Sequence, residues 1–215
     1  MTALCELFSK YASDKCPQIF HSYSPEYYKL LKDYKDTYTD ILEIGIGTHS
    51  LMDGYIRNAS GREYQLGGSL KAWRDFFKNA QIYGLDFEKT SLFEDERISC
   101  FFTDQSKEEE LEKTISNIKA SRGDENLLFD FIMDDGSHRG DHQITSLNCL
   151  YKYLKKGGLY IIEDVFPEWL HVYPLIGKDE KGIPNVIPGM ELIKIHIGQN
   201  HPRGQDTFIV YRKSY

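Results

Sequence analysis

The stretch Phe129–Val165, FDFIMDDGSHRGDHQITSLNCLYKYLKKGGLYIIEDV, decides how the rest of the chain is read. Two hydrophobic runs flank a helix-like segment, and each run ends in carboxylates. The first closes on Asp134 and Asp135, with His138 just beyond; the second closes on Glu163 and Asp164. A strand–helix–strand unit makes parallel neighbours, so the two carboxyl ends are expected side by side on one sheet edge. Asp135, Glu163 and Asp164 are then a set of hard oxygen donors with no cysteine nearby. Such a set selects Mg2+, Mn2+ or Ca2+ over zinc. His138 is the expected base, because its unperturbed pKa lies near working pH; the plainer alternative is a cap of the helix that follows. His142, one helical turn further on, is expected to support or pack. Asp134 either faces a cofactor or only supports the turn.

Working upstream, Asp40–Gly45 (DILEIG) reads as a buried strand running into Glu43-Ile44-Gly45-Ile46-Gly47. A strand that feeds a Gly-x-Gly turn lets a ligand approach the backbone closely. Position 50 is Ser, so the third glycine of the dinucleotide fingerprint is missing. Ser69–Asn79 reads as a helix with Leu70, Trp73, Phe76 and Phe77 on one face, and Ser69 is taken as a cofactor contact. Gln81–Phe87 is a second strand carrying Asp86 at its end, where a carboxylate can accept both hydroxyls of a ribose. Ile98–Asp104 is a third, with Asp104 and Gln105 placed for an adenine edge. Acids in register at successive strand ends describe an adenosine-type pocket. NAD and S-adenosylmethionine both fit it; the acidic Glu43 and the lack of any phosphate cradle favour the cationic, phosphate-free cofactor.

Residues 1–38 read as helical, with Ser24 as a cap and Pro25 opening a helix through Tyr34. Residues 46–68 show no periodicity and read as a long loop; with 166–190 they are the expected acceptor loops. Glu108–Ala120 is an amphipathic helix. Glu191–Ile197 and Thr207–Arg212 alternate as a terminal antiparallel pair, with His201–Gly204 as the turn between them. The fold class is therefore α/β: a Rossmann-like, doubly wound sheet, mostly parallel with an antiparallel C-terminal strand and helices on both faces. A single domain is expected over residues 1–215.

Composition narrows the partners. The chain has 215 residues, 40% hydrophobic and 27% charged, with a formal net charge of -7. That balance argues against a nucleic-acid binder. Cys5, Cys16, Cys100 and Cys149 form no CxxC or zinc spacing and read as reduced thiols. No leader pattern and no apolar run of membrane length is visible, so a cytoplasmic protein without membrane contact is expected.

These motifs resemble those of class I S-adenosylmethionine-dependent methyltransferases. The likeness is closest to the metal-dependent sugar O-methyltransferases of macrolide biosynthesis, the mycinamicin and macrocin group. ILEIGIGT resembles motif I, and GGSLKAWRDFFKNAQIYGLDFEK the segment with the ribose-binding acid. FFTDQS resembles the adenine-side strand, and MDDGSH and GGLYIIEDV the metal and base motifs. The N-terminal SDK and HSYSPEYY are similar to that group's entry segment. The resemblance implies Mg2+ (or Mn2+) on Asp135, Glu163 and Asp164, with His138 as general base. It implies S-adenosylmethionine against Glu43, Gly45, Gly47, Asp86, Asp104 and Gln105. The chain is shorter than the macrolide enzymes, so the expected acceptor widens to a sugar hydroxyl on a glycan, glycoside or nucleotide sugar. A homo-oligomer is compatible with all of this. The rival expectations are a catechol-type O-methyltransferase, an NAD-linked oxidoreductase and a cofactor-binding subunit without turnover.

Overall fold

The computed structural model describes residues 1–178, 186–198 and 207–215. Pro184 and the turn expected at 201–204 lie outside the described residues. The chain divides into two compact units, Met1–Phe102 and Thr103–Tyr215.

In the first unit, helices α1 (Ala3–Lys10) and α2 (Tyr23–Leu31) precede strand β1 (Asp40–Ile44). Helices α3 (His49–Ser60) and α4 (Gly68–Phe76) follow, then strands β2 (Gln81–Asp86), β3 (Glu94–Asp95) and β4 (Ile98–Phe102). The strand order is β3-β4-β2-β1. β1, β2 and β4 run parallel and the short β3 antiparallel, with Glu43 opposite Gly84 and Ile44 opposite Leu85. Every residue of β1 (DILEI) is buried, the acids Asp40 and Glu43 included. Trp73, fully buried on α4, meets the ring of Phe8 on α1 edge-on at 4.8 Å. An aromatic pair of this geometry adds about 0.5–1.5 kcal/mol beyond its area burial.

Two local expectations are corrected here. Residues 46–68 are not one long loop, because α3 occupies their middle. Thr48 caps it by accepting from the Leu51 N–H at 3.3 Å, and Gly61 ends it in a left-handed conformation. Only Ile56 of this helix is buried, so no apolar stripe advertised it. Ser24 is not a cap: α2 starts at Tyr23, and the Ser24 hydroxyl donates to Cys5 Sγ at 3.0 Å. Pro25 still falls in the first turn, where a missing N–H costs nothing.

In the second unit, α5 (Glu108–Arg122), β5 (Phe129–Asp134), α6 (Gly140–Leu150), β6 (Leu154–Ile162), β7 (Met190–Ile197) and β8 (Thr207–Lys213) follow in order. The strand order is β5-β6-β8-β7. β5 and β6 are parallel, with Asp134 opposite Ile162; β8 is antiparallel to both β6 and β7. The expected pairing of the opening stretch and the expected antiparallel C-terminal strands are both present. The fold class is thus the Rossmann-like α/β arrangement. Among the described residues no helix is long and apolar enough to cross a membrane.

One electrostatic tie joins α1 to α4. Asp75 accepts from Tyr11 Oη at 2.5 Å and from Lys10 Nζ at 3.0 Å, and pairs with Arg74. Burial works to raise its pKa, but the hydrogen bonds from Tyr11, Lys10 and Arg74 outweigh it and hold the carboxyl at about 2. A depressed carboxyl stabilises the fold above its unfolded pKa, near 4, and the contribution is lost as pH falls toward 2. Asp75→Asn is expected to lower stability at pH 7 and to flatten this acid limb. Urea denaturation of both proteins across pH 2–7 checks it, and parallel curves would contradict it.

Candidate active site

The first unit presents a glycine turn at the end of β1. Gly45 (φ 92°) donates its N–H to the Leu85 carbonyl at 2.8 Å, and Gly47 has φ 79°. Both conformations are open to glycine and strained for other residues. A Cβ on Gly47 would also sit 3.1 Å from both Met52 Cγ and Tyr64 Oη. Tyr64 Oη in turn donates to the Ile46 carbonyl at 3.0 Å.

Asp86, expected to receive ribose hydroxyls, clasps this turn. Its Oδ2 accepts the Ile46 N–H at 2.8 Å and the Gly47 N–H at 3.1 Å; its Oδ1 accepts the Glu88 N–H at 2.8 Å. A carboxylate has about four lone-pair sites, so three of them are engaged and further accepting capacity lies on Oδ1. Glu43 is fully buried, with Oε2 accepting the Trp73 indole N–H at 2.6 Å and Oε1 3.9 Å from Nζ of the buried Lys15. A charge this deep needs a counter-charge and donors, and both are supplied. Ser69 is buried in the first turn of α4. The turn therefore fits a ligand that comes close to backbone, while Glu43, two residues before Gly45, is tied to Trp73 and Lys15 in the core.

The second unit assembles the acid–histidine group. Asp134 ends β5 fully buried, and burial pushes its carboxyl up to about 6 against the hydrogen bonds of Ser146, Gln105 and Gly136. Asp135 follows it. His138 Nε2 lies 3.2 Å from Asp135 Oδ1, and Nδ1 lies 3.6 Å from Asp164 Oδ2. The ligand atoms of Asp135, His138 and Asp164 all fall within 4.8 Å of one another. The two carboxylates offer hard oxygens that fit a divalent cation, with the imidazole beside them. Glu163, expected as a ligand, is buried beside them in sequence. Its N–H continues the ladder to the Asp134 carbonyl at 2.9 Å, and its own carbonyl accepts from Gln143 Nε2 at 2.9 Å. Its side chain is outside the 4.8 Å group.

His138 (φ 58°) and Asp164 (φ 49°) both hold the left-handed backbone conformation. Non-glycine residues pay of order 1–3 kcal/mol for this and cluster at functional sites. α6 begins two residues later at Gly140, with Arg139 in the N-cap position. His142 Nδ1 lies 2.9 Å from Ser137 Oγ, a supporting contact as expected.

Asp104 and Gln105 turn out to be committed within this unit. Asp104 Oδ1 accepts the N–H of Ser106 at 3.0 Å and its hydroxyl at 2.6 Å, and Lys107 Nζ lies 3.2 Å from Oδ2. The Ser106 hydroxyl, followed by the Ser106 N–H and Lys107, holds its carboxyl below the usual range. Gln105 is buried against Asp134 and Ser137. Sequence inspection did not find the supporting roles of Trp73, Lys15 and Ser146. Trp73 and Lys15 could have been suspected as unusual partners for a buried acid.

No protein-family model matches the chain. It is 34% identical over 191 residues to demethylmacrocin O-methyltransferase of Streptomyces fradiae, which covers 89% of this chain and 42% of that protein. It is 36% identical over 174 residues to mycinamicin VI 2''-O-methyltransferase of Micromonospora griseorubida, covering 81% of this chain and 38% of that one. Among solved structures, it superposes on the MycE methyltransferase from the mycinamycin biosynthetic pathway, in complex with Mg, SAH and mycinamycin VI. The TM-score is 0.66 at 27% identity, covering 99% of this chain and 54% of that one. The chain thus spans less than half the length of the two sequence relatives.

Trp73→Phe keeps most of the α4 packing but strips the donor from Glu43. Leaving a buried charged acceptor short of a partner costs about 1–3 kcal/mol. Chemical denaturation should show a loss of that size; an unchanged midpoint would mean the indole bond to Glu43 does not stabilise the fold.

Proposed function

We propose that this chain, which has the class I S-adenosylmethionine-dependent methyltransferase fold and is homologous to the macrolide sugar O-methyltransferases, methylates a sugar hydroxyl. The observation that carries this is the convergence of Asp135, His138 and Asp164 after β5 and β6. The relatives support the acceptor class: two further ones, 29–30% identical, are named for methylating a rhamnosyl tetracenomycin-C and L-olivosyl-oleandolide. MycE was solved with Mg and SAH, which supports the same metal and cofactor here. For this chain the acceptor is a sugar-bearing small molecule or glycan, with neither nucleic acid nor a membrane as partner, and the enzyme acts in the cytoplasm.

In the first unit, Gly45 and Gly47 let the cofactor approach the backbone, and Asp86 offers its remaining accepting capacity to ribose. Glu43 and Ser69 stand behind the turn. S-adenosylmethionine supplies an electrophilic methyl group. In the second unit, Asp135 and Asp164, with Glu163 beside them in sequence, are the proposed holders of Mg2+, which when bound lowers the pKa of a coordinated hydroxyl. His138 takes the hydroxyl proton onto a ring nitrogen while Asp135 orients the imidazole. The O–H bond breaks, the new C–O bond forms on the methyl carbon, and the S–CH3 bond breaks with its electrons returning to sulfur. A positioned base contributes on the order of 10²–10⁴-fold to such a step.

Calorimetry with S-adenosylmethionine is the first test, and no binding at millimolar cofactor would refute the proposal. Asp135→Ala is expected to abolish Mg2+-dependent turnover on a sugar acceptor while leaving cofactor affinity largely intact. His138→Ala should lower kcat about 10²–10⁴-fold. Full activity in EDTA would remove the metal from the mechanism, and turnover on catechols but not sugars would reassign the acceptor.

A further inference from the structure

We infer that Gln105 is a positioning residue for the loop that carries Asp135 and His138, rather than a contact to the cofactor's adenine. The amide is buried and its groups are all engaged. Nε2 lies 3.1 and 3.2 Å from the two carboxylate oxygens of Asp134 and 3.2 Å from Ser146 Oγ. Oε1 accepts the Ser137 N–H at 2.6 Å. Ser146 Oγ donates to Asp134 Oδ2, and the Gly136 N–H reaches Asp134 Oδ1 at 3.3 Å. Only one orientation of the amide works, because the NH2 must meet the carboxylate and the oxygen must meet an N–H.

The consequence falls on the residues in between. Within the run Asp134-Asp135-Gly136-Ser137-His138, the side chain of Asp134 and the backbone of Gly136 and Ser137 are tied to this one network. The two residues proposed to act, Asp135 and His138, are each adjacent to a fixed position. Gly136 is required by the same arrangement, since a Cβ there would fall 2.0 Å from Gln105 Oε1. The left-handed backbone of His138 starts one peptide after the Ser137 N–H that Gln105 holds. A strained conformation persists only where its surroundings over-determine it, and a group that must aim a proton acceptor benefits from supports fixed in advance.

Three variants separate the possibilities: Gln105→Ala, Gln105→Glu, and Gln105→Glu combined with Asp134→Asn. The single Glu change keeps an acceptor for Ser137 but sets a carboxylate against Asp134. The double change exchanges amide and carboxylate, so the donor–acceptor pattern is restored in reverse. The inference rests on the metal-and-base proposal, so the readouts include one that does not. Mn2+ affinity of the whole protein, by electron paramagnetic resonance, is expected to fall about 10–100-fold in Gln105→Glu, the usual effect of removing an outer support. kcat is expected to fall similarly, with KM and affinity for S-adenosylmethionine within about threefold of wild type and recovery in the double variant. Hydrogen exchange at Ser137 in metal-free protein is expected to quicken in Gln105→Ala. Weakened S-adenosylmethionine binding with Mn2+ affinity and kcat unchanged would overturn the inference and return Gln105 to the cofactor. Loss of thermal stability in Gln105→Glu with no recovery of kcat in the double variant would overturn it too. If the wild-type chain binds no Mn2+, the metal proposal fails, and Ser137 exchange alone decides: unchanged protection in Gln105→Ala overturns the inference.

Discussion

A carboxylate buried at the end of a strand cannot be left without donors, and Asp134 imposes that condition on the second unit. Its full burial would cost several kcal/mol if it ionised without donors. Ser146 arrives from α6, Gln105 from the segment before α5, and Gly136 from the loop itself. Three separate pieces of chain are thereby tied to one side chain. The same donors that make the buried acid tolerable also hold the residues after it: Gly136 bonds Asp134 directly, and Gln105 bonds both Asp134 and the Ser137 N–H.

The first unit meets the same problem with different parts. Glu43 is buried in β1 and answered by the Trp73 indole and by Lys15, a residue near the N-terminus that is itself buried. Asp86 at the end of β2 is answered by the backbone N–H groups of the glycine turn. In both units, then, acids at strand ends are partly structural. Asp86 and Asp134 each accept from backbone N–H groups of the turn beside them, and positive-φ residues lie in both places: Gly45 and Gly47 in one, His138 in the other.

Much of this was legible in the sequence because β2, β5 and β6 close on apolar runs, IYGL, FIM and LYII, directly followed by the acids Asp86, Asp134 and Glu163, while β1 carries its acid, Glu43, within the strand. α3 was hidden because it buries only Ile56 and so carries no helical stripe. Gln105 and Asp104 were legible as residues at a strand end, but the hydrogen bonds they make within the protein were not. A single sequence shows which polar groups lie near a site, yet not whether their hydrogen bonds are already spent on the protein. Gln105 engages both ends of its amide, with Asp134 and Ser146 on the nitrogen and Ser137 on the oxygen, and Asp104 accepts from Ser106 and pairs with Lys107. The glycine at 136, directly after two acids, was the one sequence trace of the close approach.

His138 sits where two demands meet, and its geometry suits one assignment of its two nitrogens. Nε2 is at hydrogen-bond distance from Asp135, while Nδ1 is further from Asp164, at 3.6 Å. A base needs one ring nitrogen held by a partner, which fixes ring direction and tautomer, and the other directed to the proton it takes. A ligand would instead commit a nitrogen to the cation and lose it for proton transfer. On the proposed mechanism the carboxylates carry the metal, because hard oxygens suit Mg2+ better than imidazole does. The imidazole is then oriented by Asp135, a residue that also belongs to the metal set, so proton acceptor and cation share one structural support. Any shift of Asp135 would misdirect both at once, which is the physical reason the loop beside it is tied down by a fully bonded amide.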